Sequence, residues 1–115
     1  MIPITTVIAS GFTVSGDIDL RRRIAVGIFT PVIDSAALGF RASFDQTSAN
    51  FVRLTEPRFP GSLELRIPVG GGSLMALLSP DQGLYSPSWL RIETLMPAGS
   101  LQTDNRTLTL WTIPR

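Results

Sequence analysis

The sequence predicts a single all-β domain spanning residues 1–115, a β-sandwich with jelly-roll or related Greek-key topology and at most one or two short helical turns. Short segments rich in β-branched and aromatic residues recur along the chain, and several alternate between apolar and polar residues. The 10 Gly and 9 Pro are spread over the whole length and separate these segments. No long window shows the apolar spacing of a helix. Together these observations are typical of a sandwich built from short strands.

The predicted strands follow from this alternation. The clearest case is residues 38–44, where the apolar residues face one side and the polar residues the other. The predicted inward residues are Leu38, Phe40, Ala42 and Phe44, and the outward ones are Arg41 and Ser43. The same period of two predicts inward side chains at Leu65 and Ile92, on two further strands. The predicted strands are residues 4–9, 24–29, 38–44, 51–54, 63–67, 89–93 and 106–113.

The connections between the strands carry turn signals. Short helical turns are predicted at residues 32–37 and 80–84, the second with Ser79 as its cap and Pro80 in its first turn. The glycine run at residues 70–72, followed by Ser73, could cradle an anion with backbone N–H groups. It lacks the lysine and the following helix of a phosphate loop, so a plain loop is favoured.

The composition excludes several classes of chemistry. All 10 basic residues are Arg, and Lys, His and Cys do not occur. Disulfides, thiol and imidazole chemistry, Cys or His metal sites and lysine Schiff bases are therefore excluded. The net charge of +1 provides no field that would attract nucleic acid or acidic lipid, and no apolar run approaches the roughly 18 residues of a membrane helix. We expect a protein that is not an enzyme and has no cofactor, no nucleic-acid partner and no membrane contact.

Asp17 and Asp19 are the one candidate for acid–base or calcium chemistry. They lie two positions apart and share a face if the segment is extended. Calcium usually takes 6–8 oxygen ligands, and the surrounding residues lack the spacing of a calcium loop. A solvated turn is the favoured interpretation.

Arg21, Arg22 and Arg23 form the only basic cluster and are the first candidate for a protein interface. A solvated loop and a nucleic-acid site are the alternatives, although nucleic-acid sites usually have a broader basic stripe with interleaved aromatics. Arginine suits bidentate pairing with carboxylates of a partner.

The uncharged N-terminal segment is the second interface candidate. Residues 1–10 are a possible partner-contacting arm, with Ile2, Pro3 and Ile4 at its centre. The last predicted strand is apolar on both faces, because Leu110 faces one side and Trp111 the other. Such a strand is either covered twice within the domain or meets a partner.

Several segments, taken in order, carry a resemblance to a known group. They are residues 8–11, 14–20, 26–31, 36–45, 76–83, 89–93 and 105–115. The opening IASG, VSGDIDL and VGIFTP and the ending NRTLTLWTIPR are similar to the start and the end of small virion proteins of tailed bacteriophages. The chain departs from that group at Arg21–Arg23, where the group has small residues, and in an extra stretch at residues 56–61.

The resemblance implies a non-enzymatic virion component with a β-sandwich fold. Within that group the expected role is a capsid decoration or cement protein that binds the outer surface of the major capsid protein lattice, as a homotrimer. It would be made in the cytoplasm of the bacterial host and lie on the exterior of the capsid. The alternatives are a tail, neck or fibre-base component of the same virion, or a carbohydrate-binding module for host attachment.

Overall fold

The computed structural model describes residues 1–34, 37–47, 50–54, 67–69, 74–77, 87–95 and 101–115. Nine strands form in these residues: β1 (Ile2–Ile8), β2 (Ile18–Asp19), β3 (Arg23–Thr30), β4 (Ala37–Ser43), β5 (Val52–Arg53), β6 (Ile67–Pro68), β7 (Leu74–Leu77), β8 (Trp89–Thr94) and β9 (Arg106–Pro114). The predicted all-β class is confirmed. In this part of the chain no helix has the length and apolar character needed to cross a bilayer.

The strands form two antiparallel sheets. The first sheet has the order β1-β9-β3-β7, and the second has the order β2-β8-β4-β5 with β6 also paired to β4. Strands from opposite ends of the chain pair in alternate sheets: β1 with β9 in the first, β2 with β8 in the second, β3 with β7 in the first and β4 with β5 in the second. A long antiparallel ribbon rolled into a sandwich has this pattern, which is the jelly roll. The predicted topology is confirmed.

The core lies between the sheets, at alternate positions of the strands. Phe40 on β4 and Ile92 on β8 are fully buried, as predicted, and are directly opposite in the register. Ile28 on β3 and Leu110 on β9 reach the same core from the first sheet. Leu65 lies outside the described residues. Burying a side chain of this size stabilises the fold by roughly 1.5–3 kcal/mol, so this layer is the main support of the sandwich.

The predicted helical turn at residues 32–37 is wrong over its described part. Residues 32–34 are irregular, and β4 already begins at Ala37. Ile33 is buried in the core, and the backbone N–H of Asp34 donates to Oε1 of Gln102 at 2.9 Å. These tertiary contacts satisfy the backbone, so a local helical turn is not required. The predicted turn at residues 80–84 and the glycine run at 70–72 lie outside the described residues.

Candidate interaction surfaces

The outward face of the first sheet is uncharged. In the register, Pro3 of β1 lies beside Trp111 of β9, and Trp111 lies beside Gly27 of β3. The next outward row contains Thr5, Thr109, Phe29 and Met75. Met75 is 64% exposed and Phe29 is 36% exposed. In the described part of this sheet every outward position holds an apolar residue, a threonine or a glycine, and we call this surface the apolar face.

A bulge in β3 shapes a groove in the apolar face. The register between β3 and β9 shifts between Ala25 and Gly27, so Val26 is the extra residue. Because Gly27 has no side chain, a hollow of about 310 Å³ opens above it. The hollow is lined by Met1, Val26, Gly27, Met75 and Trp111. This groove could receive an apolar side chain of a partner protein.

The N-terminal candidate residues lie on an edge strand. Ile2, Pro3 and Ile4 belong to β1, which pairs with β9 along its whole length. Ile2 and Pro3 are exposed, whereas Ile4 is half-buried and packs against the core. Residues 2–8 are therefore part of the sandwich and do not project from it as an arm. Contact between these residues and a partner stays a prediction.

The structure separates the three adjacent arginines. Nε and Nη2 of Arg21 donate to the two carboxylate oxygens of Asp19 at 3.1 and 2.8 Å, and its guanidinium carbon lies 4.8 Å from the centre of the Trp89 ring. Arg23 lies at the start of β3 and donates to Oγ1 and to the carbonyl oxygen of Thr112, both at 2.9 Å. Only Arg21 and Arg22 are exposed. The cluster is therefore not one basic patch, because Arg23 ties β3 to β9.

Asp17 and Asp19 do share the outward face of the second sheet, with Ile18 buried between them. Hydrogen bonds from Arg91 lower the pKa of Asp17, against the effect of partial burial. Hydrogen bonds from Arg21 lower the pKa of Asp19 to about 2. Each carboxylate thus has its own arginine partner, and among the described residues no three Asp or Glu side chains form a group that could hold a metal ion.

The second sheet carries an ionic network that the sequence analysis missed. Glu93 on β8 is only 3% exposed, and its two carboxylate oxygens accept hydrogen bonds from Nε of Arg41 and Nε of Arg53 at 2.7 and 2.5 Å. Arg41 lies opposite both Arg53 and Arg91 in the register, and the Arg91 guanidinium stacks on the Phe51 ring at 3.9 Å. Alternation placed Glu93 and Arg41 on the outward faces of their strands. Their ion pair could not be predicted, because it forms only when β4 and β8, which are distant in sequence, become neighbours in the sheet.

No protein-family model and no curated protein matches the sequence. Among solved structures, chitosan-binding module 1 from a chitosanase/glucanase of Paenibacillus sp. IK-5 is similar, with a TM-score of 0.37 and 11% sequence identity over 86% of this chain and 71% of that chain. A similarity of this size assigns no ligand to the chain.

The two outward faces therefore differ in what they can bind. On the second sheet the charged side chains described above are engaged with one another. Among the described residues the apolar face has no ion pairs, and Phe29 and Met75 leave apolar surface exposed to solvent.

Proposed function

We propose that this protein is a non-catalytic structural component of a tailed-bacteriophage virion, which decorates the capsid exterior by binding the lattice of the major capsid protein. The observation that carries the proposal is the apolar face, with Phe29, Met75 and Trp111 displayed on a rigid sheet. The resemblance of the sequence to small virion proteins supplies the class of partner.

A lattice suits the strength that such a face provides. A single small apolar contact gives modest affinity after the cost of association is subtracted. A capsid repeats the same site many times, so linked copies gain from effective concentration. The jelly roll holds the apolar side chains on strands and not on loops, which keeps the loss of conformational entropy on binding small.

Binding to undecorated capsids tests the proposal. Purified protein is mixed with capsids of its phage that lack it, and bound copies are counted after sedimentation. We expect saturation at hundreds of copies per capsid, whereas a handful per particle would favour the tail, neck or fibre-base alternative. Binding to a glycan array without binding to capsids would favour the host-attachment alternative.

A matched pair of variants tests the surface. Met75→Ser changes the apolar face, whereas Val52→Ser changes a side chain on β5 of the second sheet with nearly the same exposure, 63% against 64%. We expect Met75→Ser to lower capsid occupancy and Val52→Ser to leave it unchanged. Equal occupancy for both variants would contradict the assignment of the apolar face.

A further inference from the structure

We propose that β1 pairs with β1 of a second copy of this chain, so that two molecules form a dimer with a continuous sheet across a two-fold axis. In the described part of the chain β1 is the edge of its sheet and pairs only with β9. Its sequence, IPITTVI, has no charged residue. Exposed sheet edges are commonly protected by charged side chains or by proline, and in β1 Pro3 is the single residue of these kinds.

Pro3 shows which backbone groups face the open edge. A proline within a sheet lies with its nitrogen away from the neighbouring strand, because it has no N–H to donate. Backbone groups alternate in direction along an antiparallel strand. Pro3, Thr5 and Val7 therefore direct their backbone groups to the open edge. The carbonyl of Ile2 is bonded on the β9 side, where it accepts from Oγ1 of Thr112 at 2.8 Å, in agreement with this alternation.

The open edge complements itself in an antiparallel register centred on Thr5. In that register the Thr5 N–H donates to the Thr5 carbonyl of the second copy, and the Val7 N–H donates to the Pro3 carbonyl of the second copy. Each open donor of both strands thus has an acceptor, and the missing N–H of Pro3 falls at the end of the pairing, where water reaches the unmatched carbonyl. Proline limits this edge but does not prevent pairing.

The side chains also fit a second copy. In the same register Thr5 lies opposite Thr5 of the second copy, and threonine pairs across strands are favourable. Pro3 lies opposite Val7 of the second copy on the apolar face. The apolar faces of the two copies would then join into one larger face, and no like charges would meet along the seam.

The dimer is expected to be weak. An interface made by one strand edge falls at the low end of interface sizes, below about 1,200 Å². We therefore expect dimers at high protein concentration that dissociate on dilution. This inference concerns the isolated protein and is independent of capsid binding.

Sedimentation equilibrium of the isolated protein tests the inference with two variants of opposite effect. Thr5→Pro removes an edge donor from each strand, and we expect the dissociation constant to rise about tenfold or more. Pro3→Thr adds a donor opposite the unmatched carbonyl, and we expect tighter dimers by a similar factor. Amide exchange at Thr5 and Val7 should slow as the unaltered protein is concentrated.

A side-chain variant protects the test against a folding defect. Thr5→Lys keeps the β1 backbone and places like charges opposite each other at the axis, so we expect loss of the dimer with the fold retained. Thr107→Lys makes the same change at an exposed position one strand inward, on β9, and should leave the dimer intact. A monomer at every concentration, a trimer, or a dimer that Thr5→Pro, Pro3→Thr and Thr5→Lys all leave unchanged would overturn the inference.

Discussion

At the scale of single residues, five arginines in the described part of the chain pair with carboxylates of the same molecule. The bidentate geometry of Arg21 on Asp19 shows why arginine and not lysine suits this position, since a guanidinium can bond both carboxylate oxygens at once. Both side chains are exposed, so the pair contributes little to stability. Its effect on the ionisation of Asp19 is the measurable consequence.

The pKa of Asp19 tests this contact. The side-chain and backbone hydrogen bonds of Arg21 hold that pKa at about 2, below its usual 3.8. Because the folded pKa lies below the unfolded one, the contact stabilises the fold above about pH 4 and loses its effect as the pH falls toward 2. In an NMR titration of the carboxyl carbon, Arg21→Gln should return the pKa toward its usual value. Arg22→Gln should change it much less, and an Asp19 pKa near 4 in the unaltered protein would contradict the contact.

The core residues give a second prediction at this scale. Phe40 and Ile92 are fully buried, so truncating either to Ala should lower the free energy of unfolding by about 2–5 kcal/mol. The control is Val52→Ala, an apolar truncation at an exposed position, which should stay within about 0.5 kcal/mol. Urea unfolding measures all three. Near-neutral results at both core positions would mean that the strands face the other way.

At the scale of the elements, Leu95, the residue that follows β8, packs against β4 at Gly39. The side chain of Leu95 occupies the space that a Cβ on Gly39 would need. Gly39 is therefore required by close packing and not by a turn. The burial of β4 on both faces, which is unusual for an antiparallel strand, depends in part on this contact.

Adding one methyl group at this place tests the packing. We expect Gly39→Ala to destabilise the fold by about 1–3 kcal/mol, because Leu95 must move. Gly16→Ala is the control, since the nearest atom to its new Cβ is Thr6 Oγ1 at an ordinary 3.9 Å. In a Leu95→Ala background the effect of Gly39→Ala should shrink, which a double-mutant cycle measures. Additive effects would show that the two residues do not meet.

Alternation predicted β9 from residues 106–113 because its residue period and its burial period coincide. The predicted strand at residues 38–44 corresponds to β4, but β4 is buried on both faces, and Phe44, which the alternation placed inward, lies beyond its end and is 78% exposed. β2 was missed because two residues, Ile18 and Asp19, are too short for a periodic pattern. The turn expected at residues 32–37 failed because contacts with Gln102, distant in sequence, override local preference.

The candidate surfaces could be predicted only where the alternation of residues within a single strand shows which side chains face outward. The apolar character of Trp111, opposite to Leu110 on β9, correctly marked an outward apolar face. The rows that join Trp111 to Pro3 and Gly27 depend on the strand order of the rolled ribbon, which local patterns do not encode. Adjacency in sequence also suggested one arginine patch, but Arg23 already belongs to β3.

At the scale of the whole molecule, the second sheet carries paired charges on its outward face, whereas the described outward face of the first sheet is uncharged. Exposed apolar side chains occur beside both sheets, since Val52 and Phe44 of the second are 63% and 78% exposed. The net charge of +1 is small because arginines and carboxylates are nearly equal in number, and on the second sheet they are paired in space. The apolar face of the first sheet is the surface that we propose for attachment. The charged side chains of the second sheet therefore bind mainly one another. Of the three adjacent arginines, Arg21 and Arg22 are exposed.

Replacing the arginines separately distinguishes support of the fold from attachment to a capsid. Arg23→Ser removes two hydrogen bonds that join β3 to β9, so we expect a loss of about 1–3 kcal/mol in the free energy of unfolding. Arg21→Ser with Arg22→Ser should leave stability within about 0.5 kcal/mol, because both side chains are exposed. If these two side chains contact capsid carboxylates, the double variant should also lower capsid occupancy, and the occupancy of the unaltered protein should fall with added salt. Occupancy that is insensitive to both salt and the double variant would remove the arginines from the interface and leave attachment to the apolar face alone.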